Sequence, residues 1–323
     1  MAADLTASRK LGRTALTVAP ICFGTSGLGN MPNTYGYEVD IERARATVRQ
    51  IFDGPGSFLD TSRNYAEAED RVGDVIRERG GIPAGFVVST KLDRDMQTNA
   101  FDGDRARRSI EESLRKLNLD RVQLLHLHDP EYVPDMNQVT GPGGSLEALF
   151  RMKEEGLCDA VGLAAGRVDV MMPLLRDWPF DALISHNRFT LVNRNADAMF
   201  DLAHEKGIAV LNAAPFASGV LAKGTANYKR YVYQPASEAT LEPVKRVEAI
   251  CARHGVPAGA AALQFSMRDP RVTSTIVGVS KPERVAQAWE WARWPIGDEV
   301  WAELAQVPAT GDDPEASRDY KPG

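Results

Sequence analysis

Short apolar runs alternate with longer amphipathic stretches along the whole chain, and this rhythm predicts strands followed by helices. The first segment, Arg9 to Val18, reads as a small hairpin, and PICFGT (Pro20 to Thr25) as a first buried strand. A polar loop, Ser26 to Val39, then leads to a helix over Ile41 to Phe52. The next pairs are strand Ser57 to Thr61 with helix Glu67 to Arg79, strand Phe86 to Leu92 with helix Asp104 to Leu117, and strand Arg121 to His128 with helix Ser145 to Glu155. Strand Asp159 to Ala165 precedes helix Val168 to Leu175, and strand Asp181 to His186 precedes helix Ala196 to Lys206. Strand Ile208 to Ala214 is followed by a long loop and two helical stretches within Leu241 to Arg268. Strand Ser274 to Val279 and helix Pro282 to Trp291 complete eight β/α units. Strands that alternate with helices in this way form a parallel sheet, and eight units favour a closed α/β barrel, a (β/α)8 TIM barrel, over an open sheet.

Nothing between these units reads as a linker, so the 323 residues are expected to form a single domain. The last stretch, Ala309 to Gly323, is polar and rich in Pro and Gly, and is expected to be either a frayed tail or a flap over one barrel mouth. The polar start, Met1 to Lys10, shows no signal peptide, and no apolar run reaches membrane-spanning length. A net charge of -6 without a basic cluster argues against a nucleic-acid partner. Three scattered cysteines, Cys22, Cys158 and Cys251, form no CxxC pair, which fits a reducing cytoplasm.

In such a barrel, functional groups belong at the C-terminal strand ends and in the loops that follow. Four residues there carry chemistry. Asp60 ends the second strand, Lys91 the third and His128 the fourth, and Tyr65 lies just past Asp60. A carboxylate and an ammonium on neighbouring strand ends should pair, since burying either alone is costly. A phenol near a cation is expected to have a lowered pKa, and so to exchange a proton with a carbonyl or alcohol oxygen. Such a set has no hydride of its own and needs a cofactor.

These motifs resemble those of the aldo-keto reductases. FLDTSRNYAEAEDRVGDVI (Phe58 to Ile76), STK (Ser89 to Lys91) and LDRVQLLHLHDP (Leu119 to Pro130) are similar to that family's signatures, and the resemblance runs from about Lys10 to about Trp291. It implies a small-molecule aldehyde or sugar substrate, Tyr65 as proton donor or acceptor, Lys91 salt-bridged to Asp60, and His128 orienting the substrate oxygen. It also implies a nicotinamide cofactor, NAD with NADP as the alternative. AAPFASGVLAKG (Ala213 to Gly224) and IVGVSKPERV (Ile276 to Val285) are similar to the family's cofactor segments. The implied cofactor contacts are Gly24, Thr25, Asp60, His186, Phe216, Ala217, Gly219, Leu221, Gly278, Ser280, Lys281, Arg284 and Gln287, and no metal ligand is implied.

The chain also departs from the family pattern. Gly278 stands where NADP-preferring members carry Lys, Ala164 and Ala165 stand for Ser-Asn, His186 for Gln, Ala213 for an aromatic, and Ala66 for the Gly after the tyrosine. GTSGLGNM (Gly24 to Met31), HDPE (His128 to Glu131) and the stretch Asn187 to Gly224 resemble the sugar-oxidising branch of the family. That branch includes L-galactose, L-fucose and D-threo-aldose 1-dehydrogenases and a related pyridoxal 4-dehydrogenase. The expectation is NAD-linked oxidation of an aldose at C1 to a lactone, with pyridoxal oxidation or general aldehyde reduction as alternatives. Substrate choice is assigned to the loops Asn30 to Val39, Glu131 to Gly144 and Tyr228 to Thr240, where Tyr35, Tyr132 and Tyr231 are candidates to stack on a sugar face.

Two readings from other classes compete. His126 and His128 form an HxH pair on one strand face, as in metal-dependent barrel hydrolases. Relatives of the reductases also serve as cofactor-binding regulatory subunits. Oligomeric state is not encoded in any pattern read here.

Overall fold

The computed structural model describes residues 6–316. Residues 1–5 of the polar start and 317–323 of the tail lie outside them. Eight parallel strands close into a barrel: β1 (Ile21–Gly24), β2 (Phe58–Asp60), β3 (Val87–Leu92), β4 (Val122–His128), β5 (Cys158–Ala165), β6 (Ala182–His186), β7 (Ala209–Ala213) and β8 (Val272–Gly278). Each pairs with its sequence neighbours, and β8 returns to β1. All eight predicted strands are present, with ends displaced by no more than about two residues, the usual uncertainty of element boundaries.

Helices surround this barrel: α1 (Ile41–Asp53), α2 (Ala68–Arg79), α3 (Gly103–Leu117), α4 (Ser145–Glu154), α5 (Val168–Asp177), α6 (Asp197–Glu205), α7 (Glu238–Arg253), α8 (Ala258–Arg268) and α9 (Pro282–Ala292), followed by α10 (Asp298–Leu304). Their starts follow from local chemistry. The carboxylates of Asp40 and Asp102 accept from the backbone amides of Arg43 and Arg105, each at 2.8 Å, capping α1 and α3. The loop after β1 is more ordered than the sequence suggests and contains short helical turns at Ser26–Leu28 and Pro32–Tyr35.

Alternation along the strands builds two shells. Leu59, Val88, Leu125, Leu127 and Leu163 face outward into the main core beneath the helices. Cys22, Phe58, Val87, Leu124, Ala160, Ala182 and Leu211 face inward and fill the barrel, with Leu11 and Val18 of the N-terminal hairpin. That hairpin, Arg9–Lys10 with Thr17–Val18, is present as expected. Gly12, at φ +54°, lies so close to the carbonyls of Asp181 and Gly207 that a Cβ would come within 2.9 Å of both. The hairpin therefore plugs the N-terminal end, and the C-terminal mouth is left for polar groups.

No helix among the described residues is long and apolar enough to cross a membrane.

Candidate active site

The inward-facing positions of β2, β3 and β4 change from apolar to polar as the strands rise. On β3 the series is Val87, Ser89, Lys91, and on β4 it is Leu124, His126, His128. Asp60 opposes Ser89 across β2 and β3, and Lys91 opposes His126 across β3 and β4. The register therefore assembles Asp60, Lys91 and His128 at one mouth, as the strand ends predict.

Lys91 and Asp60 form the expected pair. Lys91 Nζ donates to Asp60 Oδ2 at 2.7 Å and to the Thr61 carbonyl at 2.6 Å, and both side chains are buried. Ser89 Oγ donates to the other carboxylate oxygen at 3.0 Å. A buried ion pair with its remaining lone pairs satisfied is tolerable, whereas removing one partner typically costs 3–5 kcal/mol.

Tyr65 lies beside this pair. Its ring meets the His128 ring edge-on, with centroids 5.9 Å apart and planes at 88°, and Lys91 Nζ is 4.8 Å from its centroid. The tyrosine is positioned by close backbone packing: a Cβ on Gly29 would fall 2.0 Å from the Tyr65 carbonyl oxygen. Ala66 has φ +46°, a left-handed conformation that accounts for the family's preference for Gly there.

The phenol departs from the expected electrostatics. Burial pushes its pKa well above 10, and the Asp60 carboxylate adds to the rise. Lys91 does not produce the lowered pKa expected from sequence, because its ammonium is engaged by Asp60 and Thr61 and faces the ring. Tyr65 is held as a neutral phenol.

His128 has a partner that the sequence reading missed. Its Nδ1 lies 2.6 Å from Asp93 Oδ1, and its Nε2 lies 3.7 Å from Asp129 Oδ1. Asp93 lies two residues past Lys91, so strand alternation carried one step beyond the strand end would have pointed to it.

Asp60, Tyr65, Lys91 and His128 line one cleft of 440 Å³. Gly24, His186, Phe216, Gly219, Gly278, Ser280, Lys281, Arg284 and Gln287 line it too, so most of the expected cofactor set shares this space. Thr25, Ala217 and Leu221 do not. All three are buried behind the wall, where Thr25 bonds the Asp60 carbonyl and Ala217 and Leu221 join the core beside α7 and α8. Of the candidate stacking residues, Tyr35 lines the cleft and Tyr132 and Tyr231 do not. Tyr132 packs under Arg94 at 4.8 Å, and Tyr231 packs into the core beside α7. Tyr37, Tyr228, Tyr233 and Trp291 line the cleft instead.

The cleft is shaped for a long anionic molecule. Lys281, the N-cap of the 11-residue α9, makes no side-chain cap; Pro282 carries no N–H and the Arg284 amide donates to the Lys281 carbonyl at 3.1 Å, so the helix start offers the Glu283 amide together with the Lys281 and Arg284 side chains. A Cβ on Gly278 would meet nothing within 4 Å, so the wall there is open. After β7 the backbone turns through left-handed residues at Ala214, Ala217, Ser218 and Gly219. His186 Nε2 is 3.1 Å from Glu315 Oε1, so at least one of its ring nitrogens faces the C-terminal tail.

His126 does not join His128 in a metal site. Its ring packs so closely on β5 that a Cβ on Gly162 would fall 2.3 Å away, and its Nδ1 lies 3.2 Å from Ser89 Oγ. Among the described residues, no group of three or more His, Cys, Asp or Glu could hold a metal ion.

Residues 20–308 match the model of the aldo/keto reductase family. The chain is 30% identical over 285 residues to an L-galactose dehydrogenase of Arabidopsis thaliana, covering 86% of each. It is 27% identical over 336 residues to a pyridoxal 4-dehydrogenase of Microbacterium luteolum, covering 92% of this chain and 96% of that protein. The fold is similar to that of an aldo-keto reductase from Bacillus halodurans in its holo form, with TM-score 0.77, 20% identity and coverage of 97% and 100%.

Proposed function

The chain belongs to the aldo/keto reductase family, and from that premise we propose that it oxidises an aldose at C1 to the lactone with a nicotinamide cofactor, NAD being favoured. The observation that carries this reading is the convergence of the Tyr65 phenol, the Lys91–Asp60 pair and His128 at one part of a cleft that also holds the N-terminus of α9 with Lys281 and Arg284.

The residues present fit such a dinucleotide. Ser280, Lys281, Arg284 and Gln287 would hold its adenosine end, Phe216 and Gly219 its pyrophosphate, and Gly24, Asp60 and His186 its nicotinamide end. Such a cofactor would supply the hydride acceptor or donor that these side chains lack. The absence of a side chain at Gly278 favours NAD, since the cation that NADP-preferring members carry at that position is missing, although Lys281 and Arg284 lie in the same wall.

Tyr65 exchanges the other proton. In carbonyl reduction its O–H donates to the developing alkoxide, and in oxidation its oxygen, once ionised to the phenolate, receives the alcohol proton. Because burial keeps the phenol neutral well above pH 10, reduction needs no prior ionisation of Tyr65, while oxidation gains as the pH rises. Lys91 and Asp60 hold the tyrosine wall rigid and dry. His128 offers Nε2 to the substrate oxygen.

A second reading, oxidation of pyridoxal, is supported by the aromatic wall of the cleft. Tyr35 and Tyr233 meet edge-on with centroids 5.9 Å apart, a surface suited to a flat heterocycle.

Absorbance of the reduced nicotinamide, followed with NAD or NADP and a panel of aldoses and pyridoxal at about pH 7 and about pH 10, tests both readings. Reduction of NAD by one aldose, faster at the higher pH, is expected. Silence with every sugar and turnover of pyridoxal moves the substrate. Silence in both directions with all carbonyls overturns the enzymatic reading.

A further inference from the structure

Two histidines share the inward face of β4, two residues apart, but His126 is fully buried whereas His128 is 12% exposed at the cleft, and their surroundings differ. His126 has no carboxylate beside it: its Nδ1 lies 3.2 Å from the Ser89 hydroxyl, and burial together with the Lys91 and His128 charges holds its pKa well below 6.5. His128 lies between two carboxylates.

We propose that Asp93 is a positioning residue of this site, which seats His128 as an imidazolium with Nε2–H directed at the substrate oxygen. The substrate oxygen rests on the function proposed above, whereas the Asp93–His128 pair stands on geometry alone.

Four observations support it. First, Asp93 Oδ1 is 2.6 Å from His128 Nδ1, a charge-assisted hydrogen-bond distance. Second, Asp93 is itself fixed. Its Oδ2 accepts from Ser62 Oγ at 2.7 Å and from the Asn64 amide at 3.1 Å, and its side chain is 1% exposed. The carboxylate therefore has little freedom to turn away, and it fixes which imidazole nitrogen faces the barrel wall. Third, His128 and Asp129 both line the cleft, and the Nε2–Asp129 separation of 3.7 Å leaves Nε2 on the cleft side. Fourth, the electrostatic directions of the two partners agree. Burial pushes Asp93 up, but the charge and hydrogen bond of His128, with Ser62, bring it below the usual carboxylate value. Burial pushes His128 down, but Asp129 and Asp93 together raise it above 6.5.

The charged and titratable groups around His128 come from three strands. Asp93 and Lys91 belong to β3 and its end, Asp60 and Tyr65 to β2 and its loop, and His126 and Asp129 to β4 and the residue just after it. Lys91 opposes protonation of His128 but is neutralised by Asp60 at 2.7 Å. The balance therefore favours the cation.

An imidazolium binds a developing alkoxide more strongly than a neutral imidazole does, because the hydrogen bond carries charge. No net proton leaves His128 in this role; Tyr65 supplies the one that the carbonyl oxygen keeps. The cation persists above the ordinary histidine pKa and is lost as pH rises through the raised value. A fall in carbonyl-reducing kcat/KM above that value follows, at a pH where Tyr65 is still neutral.

The decisive measurement is an NMR titration of the imidazole nitrogens, with the His128 signals identified by their loss in a His128→Asn variant. In the unmodified protein the His128 midpoint is expected above 6.5, with both nitrogens protonated below it. In Asp93→Asn, which still accepts from Nδ1–H but carries no charge, the midpoint is expected to fall by about one pH unit or more. The upper limb of the reduction profile should move down with it. A neutral His128 at pH 6 in the unmodified protein overturns the proposal, and this needs no variant to fold. So does a midpoint, or a limb, that stays in place in Asp93→Asn while activity drops equally at every pH. Because the titration needs no turnover, failure to find a substrate would count against the proposed function and leave this pair to be judged separately.

Discussion

Tyr65 shows how far residue chemistry depends on neighbours that a chain alone does not reveal. Its place in the loop after Asp60 marks it as a candidate, and the 5.9 Å edge contact with His128 bears out the grouping. Its electrostatic state was not legible, since sequence suggests that a nearby lysine lowers the pKa, whereas burial and Asp60 raise it. Tyr65→Phe removes one oxygen and keeps the ring. Turnover is expected to fall by about 100-fold or more, the usual contribution of a positioned general acid. Cofactor binding, followed by quenching of tryptophan fluorescence from Trp291 in the cleft wall, is expected to be nearly unchanged. Near-normal turnover in this variant would remove Tyr65 from the chemistry. Asp93 was missed for a different reason: a carboxylate just past a strand end resembles an ordinary loop aspartate until its 2.6 Å contact with His128 is seen.

At the scale of elements, hydrophobic periodicity located every barrel strand and helices α1 to α9, but it missed the seven-residue α10 and several shorter pieces. The turns at Ser26–Leu28, Pro32–Tyr35 and Asn137–Thr140 are too brief to show a period. The packing of α2 on β3 also holds a polar feature that no pattern announces. Glu69, 1% exposed on α2, accepts from Thr90 Oγ1 of β3 at 2.6 Å, and burial raises its pKa from 4.5 to about 7. In the unfolded chain this carboxyl ionises near 4.5, while the folded protein retains the proton until about 7. Its contribution to stability is therefore complete below pH 4.5 and is lost as pH rises from 4.5 to 7. Glu69→Gln keeps the shape without the ionisation. Urea unfolding is expected to show the variant gaining about 2–3 kcal/mol over the natural protein between pH 5 and pH 8. An equal difference at both pH values would show that Glu69 does not hold its proton.

Across the whole molecule, the barrel mouth is finished by the end of the chain. The expected alternatives for the tail were fraying and a flap, and residues 309–316 form the flap. The Arg194 amide bonds the Thr310 carbonyl at 2.8 Å, Arg188 pairs with Asp313 at 2.6 Å, and Asn187 Nδ2 donates to Glu315 Oε1 at 2.9 Å. Burial opposes the Glu315 charge, but His186, Arg188 and Asn187 outweigh it and draw its pKa down to about 2. The anchoring is thus present above pH 4.5 and is lost as pH falls from 4.5 toward 2. Glu315→Ala should release the tail at neutral pH. Amide hydrogen exchange over residues 310–316 is expected to quicken by about tenfold or more, the equivalent of 1.4 kcal/mol of docking free energy. Unchanged exchange would mean that the other contacts suffice.

The sequence by itself determined the barrel, because strand and helix periods are local and a closed parallel sheet is the packing that eight such units favour. It also determined which strand ends carry Asp60, Lys91 and His128, because side-chain alternation is a property of the strand alone. The tertiary structure decided the rest. It set the ionisation of Tyr65, gave His128 its Asp93 partner, placed Thr25, Ala217 and Leu221 behind the cleft wall, and folded the tail onto His186. Each depends on burial or on contact between distant parts of the chain, and these arise only when the elements pack.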